Sequence, residues 1–271
     1  MIRFVKAHAC GNDFLVVDVE RVGAEKQREL AVKLCARNTS VGADGVEYLE
    51  WTGERSGRIR LFNADGSVAE ISGNGTRCVA AWMAHEKKLG SRDTITLETD
   101  AGVRECRIVH ADGDRFQIAS RMGVPKIAPR SVKLGDGTVI EGVAVSTGNP
   151  HFVVFDVDAG FSFNGRRWEE IGREICFHED FPEHTNVEFV RVIGTNEIEI
   201  RIFERGVGPT TSSGTGTCAT AVATIAHRNG AAHLLVRAPG GEQRVEWQGG
   251  EGEILLTGPA ELIAVGEAFA C

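Results

Sequence analysis

The sequence lacks the features that would direct a protein to nucleic acid or into a membrane. Its 30 Lys and Arg residues are outnumbered by 38 Asp and Glu residues, and no basic block is present. It therefore has no electrostatic footprint for nucleic acid or for an anionic membrane surface. No run of about 20 apolar residues is long enough for a transmembrane helix, and the first ten residues read as a strand rather than as a signal peptide. We therefore expect a soluble, cytoplasmic protein with neither kind of partner.

Paired cysteine motifs are also missing. The chain has seven cysteines, an odd number, and no Cys-x-x-Cys pair. This pattern argues against a disulfide framework or a structural zinc site. We expect reduced thiols, mostly small core residues, and no bound metal.

An internal repeat organises the chain. Hydrophobic residues make up 42% of the sequence and charged residues 25%, which is enough apolar material for a packed core. A single offset of 141 residues aligns long stretches of the two halves, and near the start of each half the offset is 137. The aligned positions include Cys35 with Cys176, Glu47 with Glu188, Arg60 with Arg201, Phe62 with Phe203, Ser72–Thr76 with Ser213–Thr217, and Gly11-Asn12 with Gly148-Asn149. A period this long predicts a duplicated domain rather than a solenoid.

The pattern of apolar residues repeats as well and predicts an α/β fold. We expect opening strands at Ile2–Val5 and Phe14–Val17, matched by Phe116–Ala119 and Phe152–Phe155. First helices are expected near Ala24–Arg37 and Arg166–Cys176, and apolar second helices near Asn74–Leu89 and Thr215–Asn229. Gly90 and Gly230 follow the second helices and are expected to cap them.

The boundary between the halves is expected at Asp112-Gly113-Asp114, a turn-forming sequence. The amino-terminal half is then residues 1–113, with a strand at 264–271 packing back on it. The carboxy-terminal half is residues 114–263.

Each second helix begins at a Ser-Gly-x-Gly loop, at Ser72 and at Ser213. Glycines there allow backbone N–H groups to converge on an anion, and the helix N-terminus adds roughly half a positive charge. Neither loop is a dinucleotide fingerprint or a P-loop, so no nucleotide cofactor is predicted. The simpler interpretation is a pair of helix N-caps with serine as the cap residue. The symmetric placement of the two loops favours a shared anion site.

Such a site suits the removal of the α-hydrogen of an amino acid. Two helix N-termini on the substrate carboxylate would stabilise the charge that develops beside it. A group from each half could then act on opposite faces of one carbon, without a cofactor. A scaffold protein would not need two such loops.

The residues around these loops resemble the diaminopimelate epimerase family. The resemblance covers nearly the whole chain. It is carried by the segments Cys10–Phe14, Asn63–Ser67, Ala69–Cys78, Thr147–His151, Thr185–Phe189, Glu204–Gly206 and Ser213–Ala219. It implies two pseudo-symmetric domains, each a β-sheet wrapped around a central helix, with a cleft between them. It also implies interconversion of LL- and meso-diaminopimelate without pyridoxal phosphate, in the biosynthesis of lysine and peptidoglycan.

The resemblance assigns the substrate-binding residues. Gly73, Asn74, Gly214 and Thr215 would hold the carboxylate at the reacting centre. The ammonium groups and the distal carboxylate of the substrate would be bound by Asn12, Asn63, Asn149, Asn186, Glu204 and Arg205. An arginine fork suits a carboxylate, and a glutamate with asparagines suits an ammonium. The expected partner is a small amino acid, and a homodimer is compatible with the sequence.

One departure from the family bears on catalysis. The two acid–base groups of the family are cysteines placed just before each Gly-x-Gly, where this chain has Ser72 and Ser213. A serine hydroxyl is a far weaker acid than a thiol and needs its own base. Cys78 and Cys218 lie about 8–9 Å further along the helices and are expected to face the core.

Three interpretations of the serines follow. The chain is an epimerase inactivated by double Cys→Ser replacement, a paralogue with a related proton-transfer reaction, or a binder that has lost catalysis. The second interpretation includes an enzyme that epimerises the original substrate slowly. In the paralogue, His151 and Glu204 would assist Ser72 and Ser213 as acid and base.

Overall fold

The computed structural model describes residues 1–69 and 71–269. The chain divides into two compact units. The first contains residues 1–121 together with the carboxy-terminal strand from Thr257 onward, and the second is Met122–Leu256.

The first unit begins with a hairpin and is built mostly of strands. Its elements are β1 (Ile2–Ala9), β2 (Asn12–Asp18), α1 (Gln27–Cys35), β3 (Gly45–Trp51), β4 (Ser56–Asn63), β5 (Val68–Ala69), α2 (Gly73–Lys87), β6 (Thr94–Thr99), β7 (Gly102–Asp112) and β8 (Arg115–Arg121).

The second unit repeats this order after an additional strand. Its elements are β9 (Lys126–Lys133), β10 (Val139–Ser146), β11 (Pro150–Val154), β12 (Ser162–Phe163), β13 (Arg166–Arg167), α3 (Trp168–Cys176), β14 (Asn186–Gly194), β15 (Glu197–Glu204), β16 (Gly208–Thr210), α4 (Gly214–His227), β17 (His233–Ala238) and β18 (Gly241–Glu246). The last strand, β19 (Leu255–Ala268), leaves the second unit and pairs antiparallel with β1 of the first. The carboxy-terminal strand predicted at 264–271 therefore pairs from residue 264 to Ala268, and residues 270–271 lie outside the described residues.

The strand registers of the two units correspond residue by residue. In the first unit β2 runs parallel to β3, with Val16 opposite Glu47. In the second unit β11 runs parallel to β14, with Val153 opposite Glu188. Val153 and Glu188 are the residues that the sequence offsets assign to Val16 and Glu47, so the duplication predicted from the sequence is confirmed in the backbone pairing.

A buried helix lies at the centre of each unit. Every residue of α2 from Gly73 to Ala84 is buried, and α4 is buried over most of its length. Both helices are rich in Ala, Gly and Thr, and a helix that is apolar on every side is stable only when it is surrounded. The sheet strands pack around them, as the predicted fold class requires.

The second half opens at a different strand from the one predicted. Phe116–Ala119 lies in β8, which pairs antiparallel with β7 in the first unit. The true counterpart of the β1–β2 hairpin is β10–β11. Asp112–Asp114 forms the turn between β7 and β8, so the division of the chain falls after Arg121 and not after residue 113. Asp-Gly is as typical of a tight hairpin as of a linker.

Three helix boundaries also differ from those predicted. The segment Ala24–Lys26 is a 3₁₀ turn, and α1 begins only at Gln27. The predicted glycine caps are wrong: the left-handed conformation after each central helix is taken by Lys88 (φ 53°) and Asn229 (φ 55°) rather than by Gly90 and Gly230.

The six cysteines within the described part of the chain are free thiols, and all of them are buried. Cys78 and Cys218 are fully buried, as predicted from their positions on the central helices. The seventh, Cys271, lies outside the described residues. None of the helices in the described ranges is long and apolar enough to span a bilayer.

Candidate functional site

The two serines occupy equivalent positions at the starts of the central helices. Ser72 is the N-cap of α2, and its hydroxyl accepts a hydrogen bond of 3.0 Å from Gly75 N–H. Ser213 is the N-cap of α4 and accepts one of 3.2 Å from Gly216 N–H. The N-cap role that the sequence allows is therefore present in both copies. Each hydroxyl still carries its own proton, which remains available as a donor.

These caps alter the anion site expected at the loops. The N–H groups of Gly75 and Gly216 are already bonded to the serine side chains, so an anion would contact the loops through their earlier residues. Gly73, Asn74 and Gly214 are buried, whereas Ser72, Ser213 and Thr215 are partly accessible.

Asparagine side chains support the loop of the first unit. Asn74 donates to Asn12 Oδ1 at 3.3 Å, and Asn12 donates to Asp44 at 2.6 Å. Asn63 pairs with Gly45 at the same edge of the sheet and donates to Ser67 Oγ at 2.9 Å. The structure therefore brings Asn12 and Asn74 into direct contact and fixes Asn63 in the neighbouring turn.

Arg77 holds this loop from beneath, a role that the sequence did not reveal. Its side chain is fully buried and donates to Gly73 O, to Asn74 Oδ1 and to Pro259 O at 3.1, 2.5 and 3.3 Å. A buried guanidinium requires such acceptors. The available signal was a single arginine inside an otherwise apolar helix.

A chain of hydrogen bonds supports the loop of the second unit. Glu188 Oε1 lies 2.7 Å from His151 Nδ1, and His151 Nε2 lies 2.9 Å from Asn149 Oδ1. The Asn149 amide donates to Thr215 Oγ1 at 3.4 Å, and Thr215 Oγ1 lies 3.4 Å from Ser213 Oγ. The His151 and Glu188 side chains are fully buried. Because Asn149 Oδ1 only accepts, His151 Nε2 carries a proton.

The remaining predicted residues lie at one end of the sheet in the second unit. Asn186 Oδ1 accepts from the backbone N–H of Arg205 at 2.9 Å. The exposed guanidinium of Arg205 donates to Glu183 O at 2.9 Å. Glu204 is the last residue of β15 and is partly accessible. Asn186 thus fixes the turn that carries Glu204 and Arg205.

Glu47 and Glu188 lie directly against the second glycine of each loop. A Cβ added to Gly75 would clash with Glu47 Oε1, and one added to Gly216 would lie 2.7 Å from Glu188 Oε1. Neither glycine has a positive φ, so glycine is needed there for close approach rather than for backbone conformation. Burial raises the pKa of the Glu47 carboxyl to about 8. The sequence aligned these two glutamates but did not assign them to the site.

Comparisons with known proteins agree with this fold. The family model described as diaminopimelate epimerase matches residues 4–128 and 143–263. The diaminopimelate epimerase of Bacteroides thetaiotaomicron is 35% identical, over 98% of this chain and 97% of the relative. That of Desulforudis audaxviator is 37% identical, over 98% and 99%.

Solved structures share the fold at low sequence identity. A phenazine biosynthesis protein of the PhzF family from Bacillus anthracis superposes with a TM-score of 0.74 at 16% identity and covers 99% of both chains. A hydroxyproline epimerase from Agrobacterium vitis gives a TM-score of 0.69 at 17% identity, over 98% of this chain and 90% of the other.

The match to the family model and to the curated relatives, on a duplicated fold with a capped glycine loop in each unit, places the chain among the isomerases. Within that class, the full-length similarity to curated relatives is decisive. The chain belongs to the diaminopimelate epimerase family.

Proposed function

We propose that this protein moves a proton at the α-carbon of an amino acid without a cofactor, with diaminopimelate as the first substrate to test. Ser72 and Ser213 are the two proton-transfer groups, in the positions that family resemblance gives to cysteine. Asn12, Asn63, Asn74, Asn149, Asn186, Arg205 and the loop residues Gly73, Gly214 and Thr215 bind the substrate.

One observation carries the proposal: each serine begins a buried central helix and has a buried carboxyl beside its loop. The helix N-terminus favours negative charge on the substrate. The carboxyl offers a place for a proton that a serine alone cannot hold. Glu204 and Arg205 at the end of β15 provide an anion and a cation for the distal part of a diamino dicarboxylic acid.

The second unit favours catalysis over simple binding. Its hydrogen-bond chain runs from Glu188 through His151 and Asn149 to Thr215 and Ser213. A carboxylate that orients an imidazole is a common acid–base arrangement, and a binding protein would not require it. His151 therefore acts as an acid–base residue near Ser213. Glu204 is kept as an assisting residue because it stands beside Arg205.

A paralogue with a different proton-transfer reaction is the second candidate. The replacement of thiol by hydroxyl favours it, because the acid strength of both reacting groups has changed together. The two candidates differ in substrate and not in the residues used.

Hydrogen–deuterium exchange tests the function directly. The protein is incubated in deuterated water with LL-diaminopimelate, meso-diaminopimelate or other amino acids, and loss of the α-hydrogen signal is followed by NMR. We expect exchange with a substrate of this class, and a loss of about 10²-fold or more in Ser72→Ala and in Ser213→Ala. Ser40→Ala, at an exposed serine, is the matched control.

Three results would change the conclusion. Exchange with another amino acid but not with diaminopimelate supports the paralogue. Binding of diaminopimelate without exchange supports a binder. Exchange that survives both serine replacements places the proton transfer on other residues.

A further inference from the structure

Two glutamates related by the internal repeat lie beneath the two loops. Glu47 is on β3 and Glu188 is on β14, and both are almost completely buried, with exposed fractions of 1% and 0%. Carboxylates are rarely buried so deeply unless they are paired. Their presence at matching positions requires an explanation within each unit.

Each carboxyl and the serine of its loop lie against the same side of a loop glycine. Glu188 Oε1 and Ser213 Oγ lie 2.7 and 3.3 Å from the point where a Gly216 Cβ would stand. At the first loop, Glu47 Oε1 and the Ser72 Cβ, the latter at 3.3 Å, lie around the corresponding point on Gly75. Glu47 and Ser72 also line one narrow cavity that is too small for a water molecule.

The two carboxyls differ in their partners. Glu188 is bonded to His151, whereas neither oxygen of Glu47 has a hydrogen-bond partner among the described residues. The strand registers explain the difference. His151 stands opposite Asn186 on β14, and Phe14 stands opposite Gly45 at the same position of the first unit. Phenylalanine therefore occupies the place of the histidine.

A buried carboxyl without a partner is stable only as the neutral acid. The groups packed around Glu47 do not ionise it. Val16 of β2 and Leu61 of β4 pair with it and are apolar, and Thr99 lines the cavity. Cys78 of α2 is a titratable group close enough for the charge of Glu47 to raise its pKa, and burial raises the pKa of that thiol as well. Glu47 therefore holds its proton near neutral pH.

We propose that Glu47 is the proton store of the first loop and exchanges its proton with Ser72. The inference rests on the proposed function. Glu47 acts through Ser72 and is a positioning residue in that sense.

The proton step balances in both directions. When the first loop removes the α-proton, the substrate C–H bond breaks, an O–H bond forms on Ser72, and the original Ser72 proton passes to a Glu47 carboxylate. The electron pair stays on the substrate as a carbanion. In the reverse direction neutral Glu47 returns a proton to Ser72, and Ser72 delivers its own to the carbon. Glu47 must therefore cycle between neutral and ionised forms.

Infrared spectroscopy of the free protein tests the proton store without requiring turnover. The spectrum of Glu47→Gln is subtracted from that of the wild type between about pH 5 and about pH 10, a range that brackets an ordinary and a raised carboxyl pKa. We expect one protonated-carboxyl band that disappears as the pH rises through about 8. Phe14→His should weaken the band near neutral pH, because an imidazole in that place can hydrogen-bond the Glu47 carboxyl, as His151 Nδ1 does with Glu188 Oε1, and so favour its ionised form.

Coupling to the serine is tested with the same band. Ser72→Ala should shift its frequency or its titration midpoint, whereas Ser213→Ala, which removes the equivalent cap in the other unit, should leave it unchanged. A missing band, or a band indifferent to Ser72→Ala, overturns the proposal even if exchange occurs.

The catalytic role is tested by the exchange assay. Glu47→Gln should lower α-hydrogen exchange by about 10²-fold or more and remove one limb of its pH profile. Glu50→Gln, on the same strand but exposed, should have no effect. Wild-type exchange and pH dependence in Glu47→Gln refute the role of Glu47. Absence of exchange in every protein refutes the proposed function instead, and the infrared coupling then decides whether Glu47 and Ser72 share a proton.

Discussion

The Glu47→Gln replacement should make the protein more stable relative to the wild type as the pH rises. In the unfolded chain the Glu47 carboxyl has its ordinary pKa of 4.5, and burial raises the folded-state pKa to about 8. Below about pH 4.5 both states are protonated and Glu47 imposes no cost. Between these two values only the unfolded state loses its proton, so the wild-type contribution falls steadily.

The magnitude follows from the shift. One pKa unit corresponds to about 1.4 kcal/mol, so a rise from 4.5 to about 8 lowers the free energy of unfolding by about 5 kcal/mol at alkaline pH. The side chain is completely buried, so screening by solvent does not reduce this figure. Glutamine has nearly the same shape and does not ionise, and its own burial cost does not depend on pH.

Urea unfolding at a series of pH values provides the assay. The difference between Glu47→Gln and wild type should grow from about pH 5 to about pH 8 and then level off. Glu50→Gln, with its side chain in solvent, should give a difference that does not grow. A constant difference between Glu47→Gln and wild type across this range would show that Glu47 ionises like an exposed acid, and the reasoning would fail.

Three further predictions concern the loops and the distal site. Ser72→Cys with Ser213→Cys should raise diaminopimelate exchange by at least about 10²-fold, and either single replacement by much less, because two-sided chemistry needs both thiols; tight binding without any gain would refute this. Arg205→Ala should weaken binding of dicarboxylic amino acids, measured by calorimetry, far more than binding of monocarboxylic ones, and equal weakening would remove Arg205 from the distal site. Gly216→Ala should destabilise the protein by about 1–3 kcal/mol in urea unfolding, since its Cβ would displace Glu188 Oε1; Gly194→Ala, with open space around it, is the control.

The fold could be predicted from the sequence because the internal repeat presents the same pattern of strands and helices in both halves. The offset that aligned Glu47 with Glu188 also matched the strands on either side, so an error in one half could be checked against the other. The opening strand of the second half was still misplaced at Phe116–Ala119. Strand-forming residues occur in both β8 and β10, and local composition does not reveal which partner each strand finds.

For the two central helices, the ends were less predictable than the starts. Serine before Gly-x-Gly marks a start because its side chain bonds the helix N–H groups. At the other end, glycine favours the left-handed conformation but does not require it. Here Lys88 and Asn229 adopt that conformation, one or two residues before the expected glycines.

The predicted site residues lie in recognisable sequence motifs. What the site residues that were missed have in common is that they are buried. Asn12 and Asn74, and likewise Asn149 and Thr215, were found by resemblance and are in hydrogen-bond contact. Arg77 lies on a helix read as apolar. Glu47 and Glu188 lie within buried stretches of β3 and β14. Only the packing shows that these three side chains have no access to water.

The cost of Glu47 bears on whether this protein catalyses a reaction or only binds a ligand. A hydroxyl in place of a thiol is a poor proton-transfer group unless another group holds the proton nearby. Glu47 lowers stability by several kcal/mol at alkaline pH, and an apolar residue in its place would remove that cost. Binding an amino acid at the helix N-terminus needs no buried acid beneath the loop. Proton transfer through Ser72 does need one, since the proton removed from carbon must have somewhere to go. A destabilising acid at Glu47, close to Ser72, is the arrangement expected when stability is given up for activity, and it favours a working proton-transfer site.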